Sequence, residues 1–400
     1  MSRLFSVYRA AFQGLPREVW ILSIVLFINR CGSMVLPFLV LYLTSQRGFT
    51  PSEAGEVLAV YGAGAIIGVG AGGWLVDRIG YRIVQIGSLT SAALTLLAFS
   101  VLRERPALLA GAFCLGCLAE AFRPANGVAL AAFAPPSVRA RAFGLNRLAI
   151  NLGWTVGPVL GGFLAAVDYR FLFWVDGGTC LAAAVYLAVA LPPSSAEKEY
   201  HEPKSSSTSA RSPWRDGVFM VAFILLLLQA VIFFQMHSTF PLYLVQERGY
   251  STGTFGLLII VNTALIVLFE MPLVKLVETR NPLTLVAISC ALVGLGFGLL
   301  PLSGSLVWIV FLIVLWTIGE MLTAPTMTNW VVGRADRGSR GAYMAAYGIA
   351  FSLAVAAAPL VGTRVWEQAG PDMVWWTCLV LGAITAIGFW LLARREAHRA

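Results

Sequence analysis

Charge is what this chain has least of. Only 12% of its 400 residues are Asp, Glu, Lys or Arg, where a soluble domain carries about 25%. Apolar residues make up 58%, and the mean hydropathy is +0.79. No soluble core hides that much apolar surface, so the solvent for most of the chain is lipid. The net charge of +8 would suit nucleic acid, but the basic residues are scattered among loops and form no stripe, which excludes that partner. Histidine is scarce too, with three in all. No His/Asp/Glu group has metal-ligand spacing, so no metal or other cofactor is expected. A P-loop is missing, and so is any nucleophile–base constellation, which argues against an enzyme. The six cysteines (31, 114, 117, 180, 290 and 378) all fall in apolar runs. Cys114 and Cys117 make a C-x-x-C without an electropositive setting, and read as small residues packing between helices. No cleavable signal is expected, since the first apolar run begins near Val19 and is too long for a signal-peptide core.

What the chain does contain is twelve apolar runs of membrane-spanning length, after a lead-in carrying Arg3, Arg9 and Arg17. They cover 19–43, 54–76, 83–102, 107–134, 142–167 and 170–191, then 217–245, 254–277, 282–302, 305–332, 341–366 and 372–393. Between the sixth and seventh lies a polar, proline-containing stretch that reads as a tether, giving 1–191, 192–215 and 216–400 as bundle, linker and bundle. The termini, the tether and the even-to-odd loops hold nineteen basic residues, and the opposite loops hold six. That bias places both termini on the cytoplasmic side of the membrane, which is expected to be a bacterial-type inner membrane.

The two halves are copies. Leu41-Tyr42-Leu43 with Arg47-Gly48-Phe49 returns as Leu242-Tyr243-Leu244 with Arg248-Gly249-Tyr250, an offset of 201 residues. The same offset carries Gly55 onto Gly256, Asp77 onto Glu278, Pro124 onto Pro325, Arg139 onto Arg340, Pro158 onto Pro359 and Gly161 onto Gly362. The expected fold is therefore an all-α membrane protein of twelve transmembrane helices in two pseudo-symmetric six-helix bundles.

Three stretches carry a resemblance. Gly73-Trp-Leu-Val-Asp77-Arg78-Ile-Gly80-Tyr-Arg82 resembles the signature loop between the second and third helices of the major facilitator superfamily, with a degenerate copy at 276–280. In that family the aspartate is thought to hold the cytoplasmic side shut, a role that suits a carboxylate at a helix N-terminus with Arg partners. In the fourth span, Arg123-Pro-Ala-Asn126-Gly127 resembles the family's R-x-x-Q-G motif, whose arginine is linked to proton transfer. Glu120 lies three residues before Arg123 and can pair with it. In the fifth span, Gly153-Trp-Thr-Val-Gly157-Pro158-Val-Leu-Gly161-Gly162 resembles the motif characteristic of the twelve-helix drug:proton antiporter branch. Its small residues and proline make a hinge and seal, not a binding site.

The remaining intramembrane charges are candidate proton carriers, because charge at that depth is costly enough to be functional by default. The candidates are Arg30, Glu270 and Glu320, to be read with Glu120 and Arg123, and Asp176 of the sixth span is the other intramembrane charge. Glu320 precedes Pro325 in a pattern similar to the carboxylate-bearing tenth helix of some multidrug antiporters and peptide symporters. A carboxyl taken out of water favours its neutral form and can exchange a proton each cycle, with Arg30 or Arg123 as counter-charge. Asp176 and Arg147 lie nearer span ends and read as loop anchors. His237 could relay protons, bind substrate or simply bond across helices. The helically spaced glycines of the second span (62, 64, 68, 70, 72 and 73) read as close packing.

If the family plan holds, Met34, Phe38, Tyr61, Phe122, Phe234, Gln235, Trp316, Tyr343 and Tyr347 face a central cavity. A greasy cavity with buried acids suits amphipathic cations. The reading is a monomeric secondary transporter in the bilayer that exchanges protons for lipophilic small molecules. A proton-coupled importer of peptides or metabolites, a lipid or glycolipid flippase and a non-transporting sensor stay open as alternatives.

Overall fold

The structure is a computed structural model describing residues 13–135, 138–191, 212–277, 279–335 and 339–397. Most of the tether, Glu278 and the N-terminal arginines Arg3 and Arg9 lie outside the described residues. Among the described residues there is helix and no strand. Twelve helical spans are long and apolar enough to cross a membrane: Arg17–Arg47, Pro51–Ile79, Tyr81–Phe99, Arg105–Phe133, Arg141–Val167, Arg170–Ala190, Gly217–Glu247, Thr252–Glu270, Pro282–Leu302, Leu306–Arg334, Ala342–Ala369 and Pro371–Glu396. Their outward faces carry Ile67, Phe163, Val185, Leu268 and Ile387, each more than half exposed. Such faces require a hydrocarbon solvent, and the helix is the form that satisfies its own backbone there.

The chain divides into two compact units. One comprises residues 1–35 and 63–204, the other 36–62 and 205–400.

In the first unit Gly64, Gly68 and Gly72 of the second span do the close packing expected of them, whereas Gly70 and Gly73 have nothing within 4 Å of an added Cβ. A Cβ on Gly64, Gly68 or Gly72 would collide with the fourth-span backbone at Phe113, Cys117 and Ala121 respectively. The spacing of four keeps all three on one helix face. Gly80 has φ +84°, which a side-chain-bearing residue rarely adopts, and it lets the chain turn from the second span directly into the third.

In the second unit an ion cluster joins four helix ends. Asp216 caps the seventh span, accepting from the Val218 and Phe219 N–H groups at 3.1 and 3.2 Å. Arg334, ending the tenth span, grips both Asp216 oxygens at 2.6 and 2.8 Å and also bonds to Glu396 of the twelfth. Tyr343 of the eleventh donates to Asp216 at 3.0 Å, and Trp330 donates to Glu396 at 3.1 Å.

The sequence repeat is also a structural repeat. Arg47 Nε donates to the Tyr42 hydroxyl at 2.6 Å and Arg248 donates to the Tyr243 hydroxyl, each guanidinium also lying over its tyrosine ring. Gly48 and Gly249 follow with φ of +70° and +71°. The first and seventh spans break at the same repeat position. Helix Arg17–Gly32 stops at Ser33 and resumes at Val35; helix Gly217–Phe233 stops at Phe234 and passes through a 3-10 turn, Phe234–His237.

Candidate functional site

The second unit holds its polar centre between the eighth and tenth spans. Asn262 directs its amide at two partners, the Thr317 hydroxyl at 2.9 Å and Glu320 Oε2 at 2.8 Å. Thr317 in turn donates to the Ile313 carbonyl at 2.6 Å. Glu320 itself is half-buried, and its carboxyl accepts from a neutral amide donor. Residues 317 and 320 share a helix face, and that spacing lets one asparagine reach both. Close approach on the far side of the tenth span comes from Gly319, whose added Cβ would lie 2.8 Å from both the Ser289 carbonyl oxygen and Val293 Cγ2.

Beside this centre stands an aromatic core. Trp316 is fully buried, stacked on Phe297 at 4.3 Å and meeting Phe240 edge-on at 5.2 Å, with its Nε1 lacking a hydrogen-bond partner. Phe38 meets Phe255 edge-on at 5.2 Å. Gln235 sits in the break of the seventh span. Its Nε2 donates to the Ala358 carbonyl at 2.9 Å, and its Oε1 accepts from Thr239 at 2.8 Å and Ser238 at 3.2 Å. Half-buried His237 packs by Phe234 at 6.1 Å between ring centres. Tyr343 lies apart from this group, in the Asp216 cluster, and Tyr347 meets Phe351 edge-on at 5.3 Å. Met34, Tyr61 and Phe122 are buried, and Glu270 is 7% exposed.

In the first unit Glu120 and Arg123 do approach each other, at 3.6 Å, with the arginine two-thirds exposed. Asn126 of the same motif links Gln85 and Asn146 in a chain of amides across the third, fourth and fifth spans, at 3.3 and 3.2 Å. Asp77 and Arg78 are exposed, and Arg78 lies 3.9 Å over Trp74. Arg82 turns the other way and caps the last carbonyls of the sixth span, donating to Ala188 at 2.8 Å and Leu191 at 3.0 Å. Gly73 has open space around it. The fifth-span motif packs on the first span: a Cβ on Gly153 would strike Arg30, and one on Gly157 would lie 3.1 Å from both the Arg30 and Cys31 carbonyl oxygens. Pro158 lies inside that helix, and Gly161 and Gly162 are buried. Asp176 is no loop anchor; it is 6% exposed and bonded to the first span.

Asn262, Gln85, Asn146 and the Arg334 cluster are not legible as site residues in the sequence. An amide in an apolar run carries no charge to single it out, and Arg334 counts only as one more positive loop residue. The Asp216 cap did leave a signal, an acid immediately before an apolar run.

Twelve spans in repeated halves agree with the comparisons. Over 372 residues the chain is 26% identical to the uncharacterized MFS-type transporter YqjV of Bacillus subtilis, covering 92% of this chain and 90% of that protein. It is 25% identical over 246 residues to the quinolone resistance protein NorA of Staphylococcus aureus, covering 59% and 60% of the two. Among solved structures, a POT family transporter in complex with a thioalcohol-conjugated peptide superposes with TM-score 0.80 at 16% identity, covering 96% of this chain and 97% of that one. The nucleoside transporter NupG does so with TM-score 0.80 at 14% identity, covering 94% and 99%. The sequence profile of the Major Facilitator Superfamily matches residues 22–359, and the chain belongs to that family of transporters.

Proposed function

We propose that this transporter exports lipophilic, often cationic small molecules in exchange for protons, with Glu320 as the principal proton carrier. The observation that carries the reading is the half-buried Glu320 carboxyl, held by Asn262 and flanked by the aromatic core around Trp316. A carboxyl in that setting gains or loses a proton at moderate cost, and its charged form attracts a cation. The intact fifth-span motif supports the exporter branch, and so does the similarity to a quinolone resistance protein. With both termini in the cytoplasm, Glu320 releases its proton inward and binds substrate, and protonation from outside displaces it. The membrane potential contributes about 2.3 kcal/mol per charge per 100 mV. Exchange for a monovalent cation therefore gains from voltage only when more than one proton moves. Glu270, Glu120, Arg123 and Arg30 are further candidates for that traffic.

The test uses proteoliposomes, a panel of fluorescent lipophilic cations and an imposed pH gradient. Wild type is expected to drive dye movement. Glu320→Gln is expected to keep binding the dye and lose gradient-driven movement. Proton flux triggered by peptides, nucleosides or lipids, with no dye moved, would overturn the export reading.

A further inference from the structure

Asp176 is a carboxylate that the scheme above does not use, and its surroundings are those of a working group. It sits on the sixth span, 6% exposed, where the first span breaks. Oδ2 accepts from the Val35 N–H at 3.3 Å, the Met34 N–H also bonds to this carboxyl, and the Cys180 thiol reaches Oδ1 at 3.8 Å. These two amides open the outer half of the first span, so the carboxylate anchors the restart of a discontinuous helix. Val35 is also where the chain leaves the first compact unit, which ends there and resumes at residue 63. Gly32 makes the contact possible: a Cβ there would collide with the Thr179 hydroxyl and lie 3.4 Å from Asp176 Oδ1.

The charge around Asp176 is unbalanced. Arg30 lies within electrostatic reach, yet its Nε is buried without a hydrogen-bond partner and it donates nothing to the carboxylate. The other ionisable group in contact with the carboxylate is the Cys180 thiol. The third span, which meets this helix through Ala93 and Leu97, brings no ionisable side chain beyond Tyr81 and Arg82 at its start. The fifth span packs on the first at Gly153 and Gly157 and carries Arg147 six residues before Gly153. A buried carboxylate with two amide donors and an unjoined cation is costly while charged and relieved by a proton.

The second half of the chain is a built-in control. At the 201-residue offset Val231 stands for Arg30, Thr377 for Asp176 and Leu381 for Cys180. The seventh span still breaks at the equivalent position, with neutral Gln235 stapling it. Thr377 spends its hydroxyl on the Met373 carbonyl of its own helix, at 2.8 Å. The fold thus makes this break with neither an acid nor an arginine at the equivalent positions, His237 being the ionisable group of that turn, so making the break does not account for the acid and base in the first half.

We propose that Asp176 is a second proton-binding carboxylate, in the first unit, whose charge state holds or releases the break in the first span. Charged, it fixes the Met34 and Val35 amides; on binding a proton it accepts from them more weakly and loses its attraction to Arg30, and the turn loosens. The inference deepens the proton-coupled reading above by adding a carrier to it.

The test uses purified full-length protein in lipid nanodiscs without substrate or gradient. pH-difference infrared spectra follow the carbonyl band of a buried protonated acid, and hydrogen exchange follows a peptide containing residues 30–36, corrected for intrinsic exchange. Wild type is expected to gain the band and lose protection with one shared midpoint as pH falls. In Asp176→Asn, which can still accept the two N–H bonds, both changes are expected to vanish. Asp176→Thr copies the residue of the second half and serves if the Asn variant does not fold; Asp176→Glu is expected to restore a titration. Retention of the wild-type band and exchange profile by Asp176→Asn or Asp176→Thr would overturn the assignment, as would a wild type showing neither. Since no readout uses transport, loss of gradient-driven movement with the band intact counts against the coupling scheme alone.

Discussion

Arg334→Ala is expected to destabilise the second unit by roughly 3–5 kcal/mol, because it strands a buried carboxylate. Asp216 is 1% exposed and receives both Arg334 nitrogens that face it. Burial alone pushes its carboxyl up. The Arg334 hydrogen bonds, the Phe219 N–H and the Tyr343 hydroxyl outweigh burial and hold it at about 2, below the ordinary 3.8. A folded value below the unfolded one means that the unfolded chain binds the proton first. The stabilisation, on the order of 2 kcal/mol, is therefore complete above the ordinary aspartate range and lost as pH falls through about 2. Thermal unfolding in detergent should show a large fall in Tm for Arg334→Ala at neutral pH. The double variant Asp216→Asn with Arg334→Ala should recover part of it, since no charge is left unpaired. A neutral-pH Tm for Arg334→Ala equal to wild type would show that the cluster contributes nothing to stability.

The second large effect falls on the glycine stripe of the first unit. A Cβ on Gly68 would meet the Cys117 carbonyl oxygen and approach the Cys117 Cα to 2.8 Å. The obstacle is backbone, which cannot rotate away, so the second and fourth spans must separate. Overpacking of that kind costs about 1–3 kcal/mol in a yielding core and more against a rigid helix. Gly68→Ala should lower Tm and the yield of monodisperse protein, and Gly68→Val should do so more severely. Gly70, two residues along the same helix, is exposed with nothing within 4 Å. Gly70→Ala should instead be neutral or gain about 0.5–1 kcal/mol from its lower unfolded-state freedom. Equal effects of the two alanine substitutions would mean that helix propensity, and not close approach, governs these glycines.

Much of the architecture needed only the sequence. Lipid as solvent follows from composition, since so few charges cannot cover so much apolar surface. Twelve spans follow from run length, and the duplication follows from one constant offset, which reappears as paired Arg–Tyr contacts and paired glycines of positive φ. Glu320 stood out because an acid in a hydrophobic run is rare and costly. Its partner did not. That Asn262 holds it depends on two spans 58 residues apart in sequence meeting at one height, a matter of packing that no local pattern encodes.

The same reason separates Arg82 from Asp77, and Tyr343 from the other aromatics proposed for the cavity. Adjacent letters in one motif go to different places once helices pack: Arg82 to the end of the sixth span, Tyr343 to the Asp216 cluster. Asp176 is the sharpest case. Sequence position alone made it a loop anchor, whereas the break in the first span, created where Gly32 lets two helices touch, turned it into a buried acid beside an arginine. Periodicity and composition are properties of one segment at a time and survive in the sequence. The protonation state and partners of a buried group depend on what the neighbouring helices bring to it, and only the tertiary structure decides that.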